Sequence, residues 1–190
     1  MLTNAFPDDY FAPEGSEESS PAAKPVREPK QLSPEKLEQR AKNVMLHQLS
    51  RQAKSEHQLR EVLIKREIPA EIIDKVITRF TEAGLIDDRQ VAQTIAHTRR
   101  ATRGLSSSAI KRELAQKGIS AEIIESTLAV FAAEDELATA ISIATRRIRS
   151  LAKFEPDVRK RRLLGFLARK GYPGSVAFAA IKAAETEIIA

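Results

Sequence analysis

The chain contains no cysteine and no tryptophan, and only two tyrosines and seven phenylalanines among its 190 residues. Without thiols it cannot build a disulfide scaffold, a thiolate zinc site, an iron–sulfur cluster or a cysteine nucleophile. Nothing asks for an oxidising compartment, so the cytoplasm is the expected location. Glycine is also scarce, at seven scattered residues, and no Gly-x-x-x-x-Gly-Lys run occurs. A glycine-rich phosphate loop is therefore excluded. No stretch approaches the ~18 uninterrupted apolar residues that span a bilayer. The first residues, Met-Leu-Thr-Asn-Ala-Phe-Pro, lack the basic start and apolar run of a secretory signal.

Apolar residues make up 42% of the chain and charged residues 30%, enough for a core. They are unevenly placed. Residues 1–32 hold Pro7, Pro13, Pro21, Pro25 and Pro29, a Ser/Glu run over 15–20, and six acids against three bases. Such a segment buries too little to offset its ordering entropy and is expected to be a disordered acidic tail, with Phe6, Tyr10 and Phe11 as its aromatic points.

From Ser33 onward the apolar spacing is helical. Leu37, Ala41, Val44, Met45 and Leu49 form one stripe, and Leu59, Val62 and Leu63 a second. Ile72, Ile73, Val76, Ile77 and Phe80 form a third, all at i, i+3, i+4, i+7 spacing. Ser33-Pro34 reads as an N-cap followed by proline at the first helical position. Ser55 with Gln58 and Asp87 with Gln90 have capping-box spacing. Gly84, Gly104, Gly118 and Gly171 stand where left-handed C-terminal residues are wanted. No clean two-residue alternation occurs, so the expected class is all-α.

The tetrapeptide Ala-Glu-Ile-Ile appears at 70–73 and again at 121–124, a shift of 51. Holding that shift, Ser55 meets Ser106, Leu63 meets Leu114, Ile68 meets Ile119 and Phe80 meets Phe131. A third copy lies 53 residues further on, pairing Ile110 with Leu163, Leu114 with Leu167 and Lys117-Gly118 with Lys170-Gly171. The reading is three tandem three-helix units, 33–86, 87–133 and 134–190. Their helices are expected over 34–51, 55–66 and 70–83; 88–102, 107–117 and 121–132; 135–152, 157–170 and 174–187. Short connections favour antiparallel neighbours within a unit. Units in series should stack into an elongated, curved body rather than share one core.

No catalytic constellation is visible. His47, His57 and His97 are not spaced as a metal set, and Asp87-Asp88 and Glu134-Asp135-Glu136 read as helix N-terminal acids. Ser106, Ser107 and Ser108 sit at a helix start and read as caps. The expectation is a protein that is not an enzyme and takes neither cofactor nor metal.

Positive charge is concentrated. Residues 144–170 hold ten bases against two acids: Arg146, Arg147, Arg149 and Lys153, then Arg159, Lys160, Arg161, Arg162, Arg169 and Lys170. A smaller cluster in the middle unit comprises Arg99, Arg100, Arg103, Lys111, Arg112 and Lys117, interrupted only by Glu113. A basic stripe suits a polyanion or an acidic protein groove. Most aromatics of the helical part lie at core-type spacings, so base stacking is not expected and phosphate contacts should be sequence-independent and salt-sensitive.

The stretch Gly84-Leu85-Ile86-Asp87-Asp88-Arg89, with Ala92, a basic helix end at Gly104, then Ile110, Glu113-Leu114 and Lys117-Gly118-Ile119, resembles the RecX family of RecA modulators. Ser55, Leu59 and Leu63 resemble that family's first repeat, and the likeness runs over roughly 35–185. Two positions depart from it: Val91 stands where the family usually has an aromatic, and Arg66-Glu67 replaces Lys-Gly. The resemblance implies a non-catalytic monomeric regulator that binds the groove of a RecA–single-stranded DNA filament. It would modulate recombinase, ATPase and coprotease activity, and so DNA repair, recombination and the SOS response. The two basic clusters would supply the contacts to filament and DNA. The alternative is a helical protein that binds DNA directly and without sequence preference.

Overall fold

The computed structural model describes residues 33–130 and 133–189, with side chains from 136 to 186 in the second stretch. The tail expected over 1–32 and Phe131 lie outside the described residues, as do the side chains of Glu134 and Asp135. Nine α-helices occur among the described residues, and no strand: α1 Pro34–Leu49, α2 Glu56–Ile64, α3 Ala70–Glu82, α4 Asp88–Thr98, α5 Ser107–Gln116, α6 Ala121–Leu128, α7 Ala133–Arg149, α8 Pro156–Arg169 and α9 Gly174–Ile189. The one departure in kind is at the end of α4. The helix expected to run to 102 widens into a π turn over Arg99–Arg103.

Local chemistry explains the boundaries. Ser55 makes the full capping box with Gln58, and Asp87 accepts from the Gln90 N–H. Ser106 and Ser120 cap α5 and α6 in the same way. At Ser33 the proline at the first helical position serves without a side-chain cap bond. Gly84, Gly104, Gly118 and Gly171 all take positive φ, and Glu67 does so as well, at 60°.

Each unit buries its own apolar cluster. The first gathers Met45, Leu59, Leu63, Val76 and Phe80, the second Val91, Ala92, Ile110, Leu114 and Ile124, the third Ile143, Leu163, Leu167 and Ile181. The repeat positions Leu63, Leu114 and Leu167 are all completely buried. In the third unit Ala140 and Ala144 of α7 and Ala177, Ala180 and Ala184 of α9 join this core. Small side chains there let the two backbones approach closely.

The units join by one repeated device. The N-terminus of the second helix in one unit abuts the C-cap of the second helix in the next. Ser55 Oγ, fully buried, donates to the carbonyl of Lys117 at 2.5 Å. One unit on, the Ser106 N–H donates to the carbonyl of Lys170 at 3.0 Å. A Cβ on Gly118 would fall 2.2 Å from the His57 ring, and one on Gly171 would fall 2.5 Å from Ser106 Oγ. The Lys-Gly pair thus provides a left-handed turn with no side chain in the way. Among the described residues nothing packs against the corresponding turn of the first unit, where Arg66-Glu67 stands with Glu67 exposed.

Asp88 departs from the simple reading. Its carboxylate reaches across the first junction and accepts from the Glu56 N–H of α2 at 2.8 Å, capping a helix of the neighbouring unit. Burial pushes its pKa up from the usual range, and that hydrogen bond opposes the shift.

Candidate functional site

The widened turn at the end of α4 aims a short basic segment at the third unit. Thr102 Oγ1 donates to the Thr98 carbonyl at 2.7 Å, and Gly104 closes the turn directly against Ile143 of α7. Behind it, the buried Tyr172 hydroxyl donates to the Gly104 carbonyl at 3.1 Å, and Lys170 Nζ donates to the Arg103 carbonyl. Burial pushes the Tyr172 phenol up to about 12, so it stays a donor at neutral pH. This junction sets the π turn opposite the exposed face of α7.

Between them lies a cleft of about 690 Å³. Arg100 and Arg103 line one wall, Thr139, Ser142, Arg146, Arg147 and Ser150 the other, and Phe166 and Lys170 belong to α8 and its C-cap. The Arg147 guanidinium lies 5.4 Å from the Phe166 centroid and the Lys170 ammonium 5.1 Å. Lys170 is half-buried; desolvation, and then the charge of Arg146, hold its pKa below that of an ordinary lysine.

The cleft continues on both sides. Arg147 and Phe166 also border a groove of about 310 Å³ whose other cations are Arg161, Arg162 and Arg169. Arg103 also borders a groove of about 600 Å³ with Arg112 and Lys117, where Gln58 reaches in from the first unit. Two clusters that the sequence keeps about forty residues apart therefore become one connected basic surface. The comparable cleft between the first and second units, also about 690 Å³, has mixed charge, with Glu56, Asp87 and Asp88 beside His57, Arg60 and Arg89.

Not every expected residue joins that surface. Arg99 is held by Glu113 through two guanidinium nitrogens, at 2.7 to 2.9 Å, and its charge is locally neutralised. The same pairing holds the Glu113 carboxyl below the usual carboxylate range. Arg100 lines the cleft and also donates to Ser107 Oγ at 3.3 Å. Lys111 and Arg149 are exposed and border none of the three grooves. Arg159 buries its Nε, and Lys160 sits 5.9 Å from the ring of the exposed Phe178. Arg162 lies flat on Phe154, 3.7 Å from its centroid.

Sequence reasoning missed Phe166 and the hydroxyls of α7. Phe166 packs against the third unit's core and borders the cleft as well. The signal for the hydroxyls was present: Thr139, Ser142, Arg146 and Ser150 follow one another at three- and four-residue steps, the spacing of one helix face.

Three family models match the chain: the second three-helix domain of RecX over residues 87–128, the first over 41–80 and the third over 134–181. Among curated relatives, the regulatory protein RecX of Streptomyces coelicolor is 36% identical over 174 residues, covering 92% of this chain and 93% of that protein. That of Thermobifida fusca is 35% identical over 150 residues, covering 79% and 81%. Among solved structures, RecX from Lactobacillus salivarius shares the fold with a TM-score of 0.71, at 19% identity, over 80% of this chain and 99% of that one. A second crystal structure of a regulatory protein RecX gives 0.66 at 26% identity, covering 77% and 71%.

Proposed function

The chain belongs to the RecX family, and on that footing we propose that it is a non-catalytic, monomeric, cytoplasmic regulator that acts on RecA assembled on single-stranded DNA. The observation that carries this reading is the joining of the second and third units' basic residues into one surface through Arg103 and Arg147. A surface that long can meet acidic side chains or phosphates on more than one protomer of an array. Contacts that are weak one at a time become strong once protomers are already arranged, because each later contact forms at high effective concentration. Occupying the filament groove would keep out a second DNA strand and repressor substrates, and would modulate ATP turnover, recombination and the SOS response. Bare-DNA binding without sequence preference is the competing reading; an electrostatic surface of this kind would also serve it.

The deciding experiment follows RecA ATPase on single-stranded DNA as the protein is added, beside direct binding to bare DNA, free RecA and the assembled filament. Preference for the filament with a change in ATP turnover supports the proposal. Equal binding to bare DNA and filament, with ATP turnover unchanged, overturns it in favour of direct DNA binding.

A further inference from the structure

The cleft between the π turn and α7 differs from an ordinary solvated basic face. It is concave, and its volume of about 690 Å³ lies in the range of small-ligand sites. Among the described residues it is lined by Arg100, Arg103, Arg146, Arg147 and Lys170 and by no carboxylate. The equally large cleft at the other junction carries acids and bases together. Thr139, Ser142 and Ser150 of α7 line it beside Arg146 and Arg147, so hydroxyls stand next to guanidinium groups, with the Ser150 hydroxyl donating to the Arg147 carbonyl at 2.7 Å.

Lys170 adds a second kind of observation. Its ammonium is half-buried and donates to a main-chain carbonyl, which satisfies a hydrogen bond without neutralising the charge. Burial and Arg146 both disfavour its protonated form. A multiply charged anion in the cleft would favour the protonated form and so oppose both effects.

We infer that this cleft binds two or more adjacent phosphate groups, presented either by a free polyphosphate or by the backbone of a nucleic-acid strand. Phosphate fits better than a run of peptide carboxylates. Each phosphate offers several acceptor oxygens at close spacing, which suits forked guanidinium donors flanked by hydroxyls. The ligand would touch the π turn of the second unit and α7 of the third at once, tying the two units together. The inference rests on the basic surface of the proposed function and deepens it by naming the ligand chemistry of one cleft; its test needs no RecA, so the two can fail separately.

The test titrates inorganic tripolyphosphate into the full chain by calorimetry, and follows amide shifts by NMR. The expected result is one-to-one binding with shifts centred on residues 103–105 and 139–150. Removing two charges with Arg146→Gln and Arg147→Gln should weaken binding about tenfold or more, as loss of charge-assisted bonds does. Removing two elsewhere, with Lys65→Gln and Arg66→Gln on the exposed end of α2, should change it less than about twofold, since distant exposed charges are screened. If the first variant fails to fold, the wild-type shift map decides. Shifts scattered over the surface, equal losses in both variants, or displacement by a hexaglutamate peptide at similar concentration would each overturn the inference. A second arm adds a thymidylate strand of ~12 nucleotides, a typical single-strand site size. Displacement of tripolyphosphate by the strand would assign the cleft to a nucleic-acid backbone; tripolyphosphate binding without such competition would assign it to free polyphosphate.

Discussion

Gly118 lies so close to His57 that a Cβ added to the glycine would sit 2.2 Å from the imidazole Cγ, across the junction of the first and second units. The glycine also holds φ at +74°. Two demands, one on backbone and one on space, thus meet at a single residue.

Gly118→Ala should therefore lose more stability than a left-handed alanine alone. The control is Gly84→Ala, at φ +68° with nothing within 4 Å of the added methyl, where only the backbone term of about 1–2 kcal/mol applies. At Gly118 a further ~1–3 kcal/mol of overpacking is expected. Denaturant unfolding measures both; His57→Ala should restore only part of the extra loss at 118, because the His57 Cβ itself lies 2.3 Å from the added methyl, and none at 84. Equal losses in the two alanine variants would mean that the junction yields freely.

Leu63, Leu114 and Leu167 occupy equivalent, fully buried places in three separate cores. Leu114→Ala should cost about 2–5 kcal/mol in denaturant unfolding. A near-neutral result would show that the middle unit collapses around the gap.

The Arg99–Glu113 pair sets an acid dependence. Arg99 lowers the pKa of Glu113 in the fold, so the pair's contribution is full above the unfolded carboxyl's ~4.3 and is lost as pH falls through the folded value. Both partners keep some exposure, so the effect should stay below about 1 kcal/mol. Glu113→Gln should flatten the acid limb of a stability–pH curve, and adding Arg99→Gln should change little more. Additive losses would show the two side chains acting independently.

Tyr172 should reveal itself spectroscopically. The chain has only one other tyrosine, Tyr10, which a Phe replacement removes from the signal. The remaining phenolate absorbance should then rise near pH 12 rather than near 10. Because the folded pKa is raised, stability should decline as pH climbs past the unfolded tyrosine's ~10. A rise near 10 while helix content is intact would mean that the Gly104 contact opens readily.

The groove beyond Phe166 can be probed by charge reversal, and the structure decides which arginines to choose. Arg162 lies on Phe154, so replacing it would also disturb packing. Arg161 and Arg169 border the same groove and are exposed. Converting both to Glu should leave helix content unchanged and weaken filament binding by ~1 kcal/mol or more per site at ~0.15 M salt. Wild-type regulation of RecA by the double variant would mark this groove as a solvated face.

What the sequence could reveal was whatever repeats or acts locally. Leu63, Leu114 and Leu167 recur at fixed shifts, and Ser55, Asp87 and Ser106 cap helices within three residues of themselves. Contacts over long separations were not legible. Asp88 caps a helix 32 residues earlier, and Tyr172 reaches 68 residues back to Gly104. Neither is encoded in spacing. Arg99 illustrates the same limit for the surface: charge counting places it among the basic residues, and only the structure shows it paired with Glu113, fourteen residues on. The π turn escaped because helical periodicity does not distinguish four-residue from five-residue closure over a single turn.

The unit junction also determines whether copies of the chain can join end to end. A head-to-tail contact that repeats without closing grows into a fibre. Here a second molecule would have to place the start of its α8 against the end of this molecule's α2. The required serine is absent on one side, where the repeat register puts Arg159, and the required glycine is absent on the other, where Glu67 projects. The serine and glycine that join units within the chain are both missing at these two positions, so the same pair of contacts would not form between copies.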